Sequence, residues 1–308
     1  MSGRVPIDQQ VLYVYVALQN LKHGRPVKEI AEEIGRSRFA TARMVKRARE
    51  LGLVEVRATV EDPVDVDLST RLAQRYGLRS AVVVATQSDN EVLAREAIAE
   101  VTSRIIIESV QEDDVLGFTP GRTLVVASRG ITELPWADVV QLTGVGWTRL
   151  EDGVEVISNI GRAARGATHP LYAPMLLEPE ESIILGHPAI QHTLRRFDHI
   201  TRAFLTIGGW PEASLLAHIL ADKGEREAFE RRGVVGELGT CLLDAEGTVV
   251  DGLEGRFIGI SERQLRAIPA RMAIGGGAGK EKAVRAVLLS GLADSIVTDT
   301  RSALMALE

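Results

Sequence analysis

The sequence is poor in the residues from which metal-bound and disulfide-bonded proteins are built. Its only cysteine, Cys241, excludes a disulfide framework and a zinc site made of cysteines, and it fits a reducing compartment. The six histidines form no H-x-H, H-x-x-H or H-E-x-x-H pair, so a histidine metal site has no support. We therefore expect a cytoplasmic protein that binds no metal and no cofactor.

Long hydrophobic segments are also missing. The longest unbroken apolar run, Val11–Leu18, is far shorter than the roughly 18 residues that a membrane span needs. No basic stretch followed by an apolar region indicates a signal peptide at the N-terminus. The 308 residues are 45% hydrophobic and 25% charged. This balance excludes a disordered chain, and together these features predict no membrane partner and one large domain plus a smaller one.

Positive and negative charges are divided unevenly along the chain. Residues 1–60 contain 11 basic and 6 acidic residues, whereas the remaining residues contain 25 basic and 36 acidic ones. A small basic segment joined to a large acidic one is typical of a nucleic-acid-binding module attached to a domain that does not touch nucleic acid. A basic surface that only contacts solvent would give the same excess of basic residues. A sequence motif is therefore needed to distinguish a nucleic-acid-binding module from such a surface.

The basic segment has the pattern of a winged helix-turn-helix. Apolar residues at helical spacing predict a first helix that ends before His23, and they are Val11, Val14, Tyr15, Leu18 and Leu21. A second helix is predicted at residues 27–34. Gly35 then forms a tight turn, and Ser37 caps a third helix, Arg38–Leu51. The alternating segment Leu53–Ala58 predicts the short strand of a wing.

The third predicted helix carries the candidate DNA contacts, because six basic residues and no acidic one lie between Arg36 and Arg49. The third predicted helix is the second helix of the helix-turn-helix motif. In this motif the start of that helix contacts base edges, and the flanking cations contact phosphates. The base-edge candidates are Arg38, Thr41, Ala42 and Arg43, the phosphate candidates are Arg36, Lys46 and Arg47, and the capping Ser37 completes the set. We expect double-stranded operator DNA as the partner.

From about residue 68 the pattern becomes that of an α/β domain with a mostly parallel sheet. The candidate strands are Ala81–Ala85, Val115–Phe118, Val139–Leu142, Ile183–Leu185, Ala203–Ile207 and Ser295–Val297, and the candidate helices are Glu91–Ile107, Arg122–Arg129, Asn159–Arg165 and Lys280–Ser290. Residues 59–67, with Pro63 and four acidic residues, indicate a connector. The predicted domains are therefore residues 1–58 and 68–308.

Three of the strand patterns run into glycine-containing loops that suit an anion. The segment Val115–Thr123 offers backbone N–H groups, two hydroxyls and a guanidinium. Phe204–Gly209 ends in two glycines, and Met272–Lys280 has four glycines before a lysine that opens a helix. A cation at a helix N-terminus is opposed by the helix dipole, which makes sense if an anion lies between them. Each loop alone also fits a plain tight turn.

The third loop does not fit the nucleotide-binding motifs. Ile274 stands where a Walker A loop requires its first glycine, and Glu281 stands where it requires a hydroxyl. The third glycine of the dinucleotide fingerprint would fall on Lys280. Both motifs are excluded.

The segment Ser37–Val54 resembles the recognition helix of the SorC family of sugar-responsive transcriptional regulators. Later blocks of the sequence match the family in order, at Gly233–Leu238, at Arg271–Gly277 leading to Lys280, and at Leu292–Asp299. The matching segments run over nearly the whole chain. These matching blocks together are far more specific for the family than any one of the glycine-containing loops.

This resemblance implies a winged helix-turn-helix domain followed by a Rossmann-like effector domain, related to the sugar-phosphate isomerases and deaminases. It also implies a tetramer that acts at an operator and binds a sugar phosphate or a related sugar or polyol. Carried over by position, the effector-binding residues are Thr119, Arg122, Thr123, Gly208, Gly209, Glu237, Gly276, Gly277 and Lys280. We expect Gly144, within Thr143–Gly146, to line the same pocket.

The sequence therefore predicts a regulator without catalytic residues, whose operator binding is controlled by the effector. Two alternatives stay open at this point. One is a phosphosugar isomerase or hydrolase with an accessory helical domain, because Glu237 and Lys280 could perform acid–base or Schiff-base chemistry. The other is an architectural DNA-binding protein without an effector.

Overall fold

The computed structural model describes residues 5–55, 63–86, 91–146 and 150–308. The chain forms two compact units, residues 1–61 and 62–308, which we call the helical unit and the sheet unit. The division falls inside the connector that the sequence predicts at residues 59–67. None of the helices in the described ranges is both long and apolar enough to cross a membrane.

The described part of the helical unit, residues 5–55, forms three helices, α1 (Ile7–Leu21), α2 (Val27–Glu33) and α3 (Arg38–Glu50). The buried side chains of its small core are Val16, Ala17, Ile30, Ala31, Thr41 and Ala48. Ser37 caps α3 as predicted, since its Oγ accepts a hydrogen bond of 3.2 Å from the backbone N–H of Ala40. Gly35 adopts a positive φ of 63° in the turn between α2 and α3, where a glycine avoids the strain that a Cβ would bring.

Two details of the helical unit differ from the prediction. The predicted first helix is present as α1, but the apolar residues that indicated it do not form its buried side, because Val11 is 65% exposed and the buried residues of the helix are Val16 and Ala17. Apolar residues occur on more than one side of α1, and packing against α3 decides which side is buried. Of the predicted wing strand, residues 56–58 lie outside the described residues, and Leu53 lies in the turn that ends α3, with its N–H bonded to the carbonyl of Ala48.

The sheet unit alternates strands with helices. Its strands are β1 (Ser80–Val84), β2 (Val115–Phe118), β3 (Ala137–Gln141), β4 (Arg165–His169), β5 (Arg202–Gly209), β6 (Val234–Leu238), β7 (Cys241–Asp244), β8 (Ala270–Ile274) and β9 (Ser295–Asp299). Its α-helices are α4 (Val66–Tyr76), α5 (Glu91–Ser109), α6 (Arg122–Arg129), α7 (Leu150–Ala164), α8 (Pro188–Arg196), α9 (Leu215–Asp222), α10 (Arg226–Arg231), α11 (Glu262–Ala267), α12 (Glu281–Ser290) and α13 (Thr300–Leu307).

The described strands form one sheet in the order β1-β9-β8-β5-β2-β3-β4, and all neighbours in this path are parallel. The hairpin of β6 and β7 adds antiparallel pairing at the end of β5. Side chains alternate along β5, so that Leu205 and Ile207 enter one core and Phe204 enters the other. Phe204 stacks on Phe118 of β2 with ring centroids 5.0 Å apart. The sheet is therefore buried on both faces, as parallel sheets require.

Most predicted strands of this unit match the structure, but one prediction is wrong and several strands were missed. Ile183–Leu185 lies in a 3-10 helix, Pro179–Gly186, because Pro179 begins that helix and a capping box between Glu178 and Glu181 closes its first turn. The strands β4, β6 and β7 were not predicted, and β5 extends to Gly209 because β6 pairs with its end.

The topology places one crevice at the carboxyl ends of the central strands. From β2 the chain continues to β3 on one side of the sheet, and from β5 it continues to β8 on the other. The strand order therefore reverses between β2 and β5. At such a switch point the loops diverge to opposite faces and leave room for a ligand.

Candidate functional site

A cavity of about 480 Å³ lies beyond the carboxyl ends of β2 and β5. Its walls come from the loops after β2, β3, β5 and β8, from the start of α5, from α9, and from Glu237 of β6. Its volume is in the range of ordinary small-molecule sites. The switch point of the sheet thus contains a pocket lined by residues from many parts of the sheet unit.

Three basic side chains and one carboxylate lie on one side of this cavity. Glu91, the first residue of α5, pairs with Arg122 at 3.3 Å and with Arg95 at 3.5 Å. Lys280 donates a hydrogen bond of 2.8 Å from Nζ to the carbonyl oxygen of Ile207. Burial first, and the nearby Arg122 second, lower the pKa of Lys280 to about 8. We call Arg95, Arg122 and Lys280 the cationic end of the cavity, with Glu91 as its internal counter-ion.

The loop between β2 and α6 is held by hydroxyl groups. Thr206 donates from Oγ1 to the carbonyl of Pro120 at 2.9 Å, and its backbone N–H donates to Oγ1 of Thr119 at 2.8 Å. The two threonine hydroxyls lie 3.0 Å apart. Because the Thr206 proton goes to Pro120, Thr119 donates to Thr206. Thr119 lines the cavity, but its hydroxyl proton is already used in the hydrogen bond to Thr206 that holds the loop.

This loop aims the N-terminus of α6 at the cavity. A Cβ added at Gly121 would lie 2.6 Å from Oγ1 of Thr206, so only glycine fits at this cap position. The first helical turn begins with Arg122 and Thr123, which both line the cavity, and the first backbone N–H that donates back along the helix is that of Val125. The N–H groups before Val125 and the positive end of the helix dipole therefore suit an anion.

A second group of polar side chains surrounds Glu237, whose charge is close enough to Lys280 for each to affect the pKa of the other. Oε2 of Glu237 accepts hydrogen bonds from Oγ of Ser214 at 2.9 Å and from Nε1 of Trp210 at 3.2 Å. Burial raises the pKa of Glu237 against the lowering effect of these two donors. Nδ1 of His218 lies 2.5 Å from the carbonyl oxygen of Ser214. Since a carbonyl only accepts, Nδ1 of His218 carries a proton.

Seven of the ten predicted effector residues line this cavity, and they are Thr119, Arg122, Thr123, Gly208, Glu237, Gly276 and Lys280. Gly208 leaves room for the side chain of Glu237, because a Cβ there would lie 2.4 Å from Oε1 of Glu237. Glu91, Arg95 and His218 also line the cavity but were not predicted from the sequence. The spacing of Glu91 and Arg95, one helical turn apart, was the available signal for a pair.

The other three predicted glycines do not line the cavity. Gly144 lies between two lining residues but faces the neighbouring chain, since a Cβ there would lie 2.4 Å from the carbonyl oxygen of Pro174. Gly209 faces the loop before α12, where a Cβ would lie 2.6 Å from the carbonyl oxygen of Gly279. Gly277 lines a second cavity of about 520 Å³, together with Asp299 and other residues. Among the described residues, no cluster of three His, Cys, Asp or Glu could hold a metal ion.

In the helical unit, the predicted DNA-contacting residues other than Thr41 are exposed, namely Arg36, Ser37, Arg38, Ala42, Arg43, Lys46 and Arg47. Arg47 pairs with Glu50 at 3.0 Å, and Lys46 lies 3.8 Å from the same carboxylate. The prediction of Thr41 as a base contact is wrong. Its side chain is fully buried, and its hydroxyl donates to the carbonyl of Ser37 at 3.1 Å, so it belongs to the core of the unit.

Comparison with known proteins identifies the sheet unit. A family model described as a putative sugar-binding domain matches residues 63–308. The chain belongs to this family. Two relatives match nearly the full length of both chains. The deoxyribonucleoside regulator of Bacillus subtilis is 24% identical over 96% of this chain and 97% of its own, and the erythritol catabolism regulatory protein EryD of Brucella abortus is 27% identical over 91% of each.

The full-length sorbitol operon regulator SorC of Klebsiella pneumoniae has the same fold as this member of the sugar-binding domain family. The two structures superpose with a TM-score of 0.71 at 20% identity, covering 98% of this chain and 100% of the other. The resemblance to the SorC family is confirmed. The predicted fold class, a helix-turn-helix domain followed by a Rossmann-like α/β domain, is confirmed as well.

Proposed function

We propose that this protein is a transcription regulator that binds duplex DNA through α3. Binding of a small phosphorylated sugar or polyol changes its affinity for DNA. The observation that carries the proposal is that one cavity contains both groups that suit an anion and groups that suit hydroxyls. Arg122 and Lys280 suit an anion, whereas Glu237 and His218 suit hydroxyl groups.

The cationic end fits a phosphoryl group better than a carboxylate. A phosphate offers three strong acceptor oxygens and close to two negative charges, and the cavity has three cations plus the N-terminus of α6 to meet them. Glu91 neutralises part of this charge. A ligand anion that takes over the two arginines would release Glu91.

The polar group around Glu237 fits the hydroxyls of a sugar or polyol. Oε2 of the carboxyl group already has two donors, so Oε1 is the oxygen that is open to a ligand hydroxyl. Asp222 and His218 from α9 also line the cavity and add hydrogen-bonding groups for hydroxyls. The names of the relatives refer to deoxyribonucleosides, erythritol and the sorbitol operon, which supports a ligand of this class.

Effector and DNA would communicate by linkage between two arrangements of a homotetramer. A ligand shifts such an equilibrium only as far as its affinities for the two arrangements differ. The factor by which it changes DNA affinity must equal the factor by which DNA changes ligand affinity. We propose that the regulator acts in the cytoplasm and performs no catalysis on its effector.

A thermal-shift screen of the full chain against sugar phosphates, polyol phosphates and free sugars tests the proposal. A true effector at 100 times its Kd stabilises the protein by about 2.7 kcal/mol. The same compound must then change the affinity for duplexes selected from a random library, measured by fluorescence anisotropy. A screen without hits, or a hit that leaves DNA affinity unchanged, would contradict ligand-controlled DNA binding.

The alternative function is that of a phosphosugar isomerase or hydrolase. It is favoured by Lys280, whose lowered pKa of about 8 would suit an acid–base or nucleophilic group. Incubation of the purified chain with each stabilising sugar phosphate, followed by NMR, distinguishes the two functions. Recovery of the unchanged ligand supports a sensor, and turnover at ordinary enzymatic rates supports the enzyme.

A further inference from the structure

One aromatic side chain on the helical unit is almost completely exposed. Phe39, the second residue of α3, is 83% exposed. An isolated exposed apolar residue needs no explanation by itself. Phe39, however, follows the exposed cations Arg36 and Arg38 and precedes Arg43 in a segment that has no acidic residue. Its position, rather than its exposure alone, therefore points to a ligand.

The helical geometry places Phe39 on the surface that would face DNA. The buried side of α3 is marked by Thr41 and Ala48. At about 100° per residue, Phe39 lies on the opposite side, in the row formed by Arg43 and Lys46 four and seven positions later. We call the row of Phe39, Arg43 and Lys46 the outer face of α3. Phe39 is its residue nearest the helix N-terminus.

We propose that Phe39 reads thymine by packing against the C5-methyl group in the major groove. This inference rests on the proposed DNA-binding function. The first residues of the second motif helix approach base edges, and a phenyl ring has no hydrogen-bonding atom with which to read the other groups there. The thymine methyl is an apolar group on the floor of the groove, and phenylalanine is among the residues that contact it.

The surrounding charges favour DNA over an apolar protein surface as the occupant. Arg36, Arg38, Arg43 and Lys46 are all exposed around the ring, and cations at this density suit phosphates on both sides of a groove. The ring contributes nothing to the core of the helical unit, whose buried residues lie on the other side of α3. A substitution at Phe39 is therefore expected to leave the fold intact.

The test uses the full chain and a duplex that it selects from a random library. Each thymine of the selected duplex is replaced in turn by deoxyuridine, which removes only the methyl group. A duplex bound by two copies of α3 has two half-sites, one for each helix. At one thymine in each half-site, the replacement should weaken binding of the wild-type protein about fourfold, as expected for one buried methyl group. Phe39→Ala should weaken binding to the thymine duplex about tenfold and should bind both duplexes equally.

Tyr172→Ala is the matched control, because Tyr172 is a 71% exposed aromatic residue of the sheet unit and should change neither affinity. Circular dichroism checks that each variant is folded. If the wild-type protein selects a sequence but no deoxyuridine position matters, or if Phe39→Ala keeps the methyl effect, the thymine contact is overturned while DNA binding stands. If the wild-type protein selects no sequence, the proposed DNA-binding function and this inference both fail.

Discussion

The two units of the chain build their candidate binding surfaces in opposite ways. In the helical unit, the candidate surface comes from one helix, α3, and from side chains within a single stretch of sequence. In the sheet unit, the cavity combines residues from Glu91 to Lys280, which only the crossovers of a parallel sheet bring together. The first surface needs a small core that holds one helix, whereas the second needs the whole sheet.

The two units also differ in how they hold their positive charge. The cations Arg36, just before α3, and Arg38 and Arg43, within it, are exposed, and the nearest acidic residue in the helix is Glu50 at its end. In the cavity, Arg95 and Arg122 share the carboxylate of Glu91. A polyanion meets the carboxylate of Glu50 only near Lys46 and Arg47 at the end of α3, whereas an anion in the cavity must compete with Glu91 for both arginines. The first site favours fast, salt-dependent contact, and the second favours selective binding.

The largest expected effect comes from removing cations from the outer face of α3. The double variant Arg43→Ala, Lys46→Ala removes one base-edge candidate and one phosphate candidate, so it should lower DNA affinity at least about a hundredfold near physiological salt and reduce the salt slope by about 1, for the lost phosphate contact of Lys46. Fluorescence anisotropy over a series of salt concentrations measures both quantities. Effector binding to the sheet unit should be unchanged.

The matched control for this variant is Lys282→Ala, Arg285→Ala, which removes the same charge from exposed positions of α12. It should leave the salt slope unchanged. If both double variants weaken DNA binding equally, net charge rather than α3 determines affinity, and the contrast between the units fails.

The next largest effect is expected in the cavity. Lys280→Gln removes the charge at the cationic end and should weaken binding of a sugar phosphate about thirtyfold, as expected for the loss of one charge-assisted hydrogen bond. Isothermal titration calorimetry with a hit from the thermal-shift screen measures the change. Lys282→Gln, two residues later on the exposed side of α12, is the control and should bind normally. Equal binding by Lys280→Gln would show that the anion lies elsewhere.

The same contrast explains which parts of the molecule could be predicted from the sequence. The bounds of α3 follow from a local signal, because Ser37 caps the helix directly and Gly52 follows its end. The burial of Thr41 was missed although the signal was present, because Thr41 lies three, four and seven positions before Met44, Val45 and Ala48 and so shares their side of the helix. In the sheet unit, the loops at Arg122 and Lys280 were found because each carries its own glycines.

The rest of the cavity depends on tertiary contacts that no local pattern reports. Glu237 was predicted only through the family resemblance, and its hydrogen bonds with Ser214 and Trp210 arise because β6 folds back onto the end of β5. Glu91 lies at the start of α5, more than 20 residues before its partner Arg122. Gly144 and Gly209 have the right sequence positions, but their Cα atoms face neighbouring backbone.

A smaller effect is expected from pH. With a pKa of about 8 in the free protein, Lys280 is charged below that pH, and a bound phosphate should raise this pKa. Binding then takes up a proton between pH 8 and the higher pKa of the complex, so affinity should fall as pH rises through this range, by at most about tenfold per pH unit. The phosphate monoester keeps its second charge there, because its second pKa is about 6.

Calorimetry in buffers of different ionisation enthalpy measures the proton uptake. The other charged groups near Lys280 are Arg122, Arg95, Glu91 and Glu237, so the control is Lys280→Gln itself, which should bind weakly without this pH dependence. A wild-type affinity that is constant from pH 8 to 9.5 would mean that the anion does not touch Lys280.

The smallest effect is expected for Glu91→Gln. This variant tests most directly whether the two units differ in how their cations are paired. The substitution removes the carboxylate that competes with the ligand for Arg122 and Arg95, while an amide of nearly the same shape remains. Affinity for a sugar phosphate should increase about fivefold, since the pair is partly exposed and worth little by itself. Glu100→Gln, at an exposed position of the same helix, should have no effect. Unchanged or weaker binding by Glu91→Gln would mean that Glu91 holds the arginines in place for the ligand, and the two units would then differ less than their charges indicate.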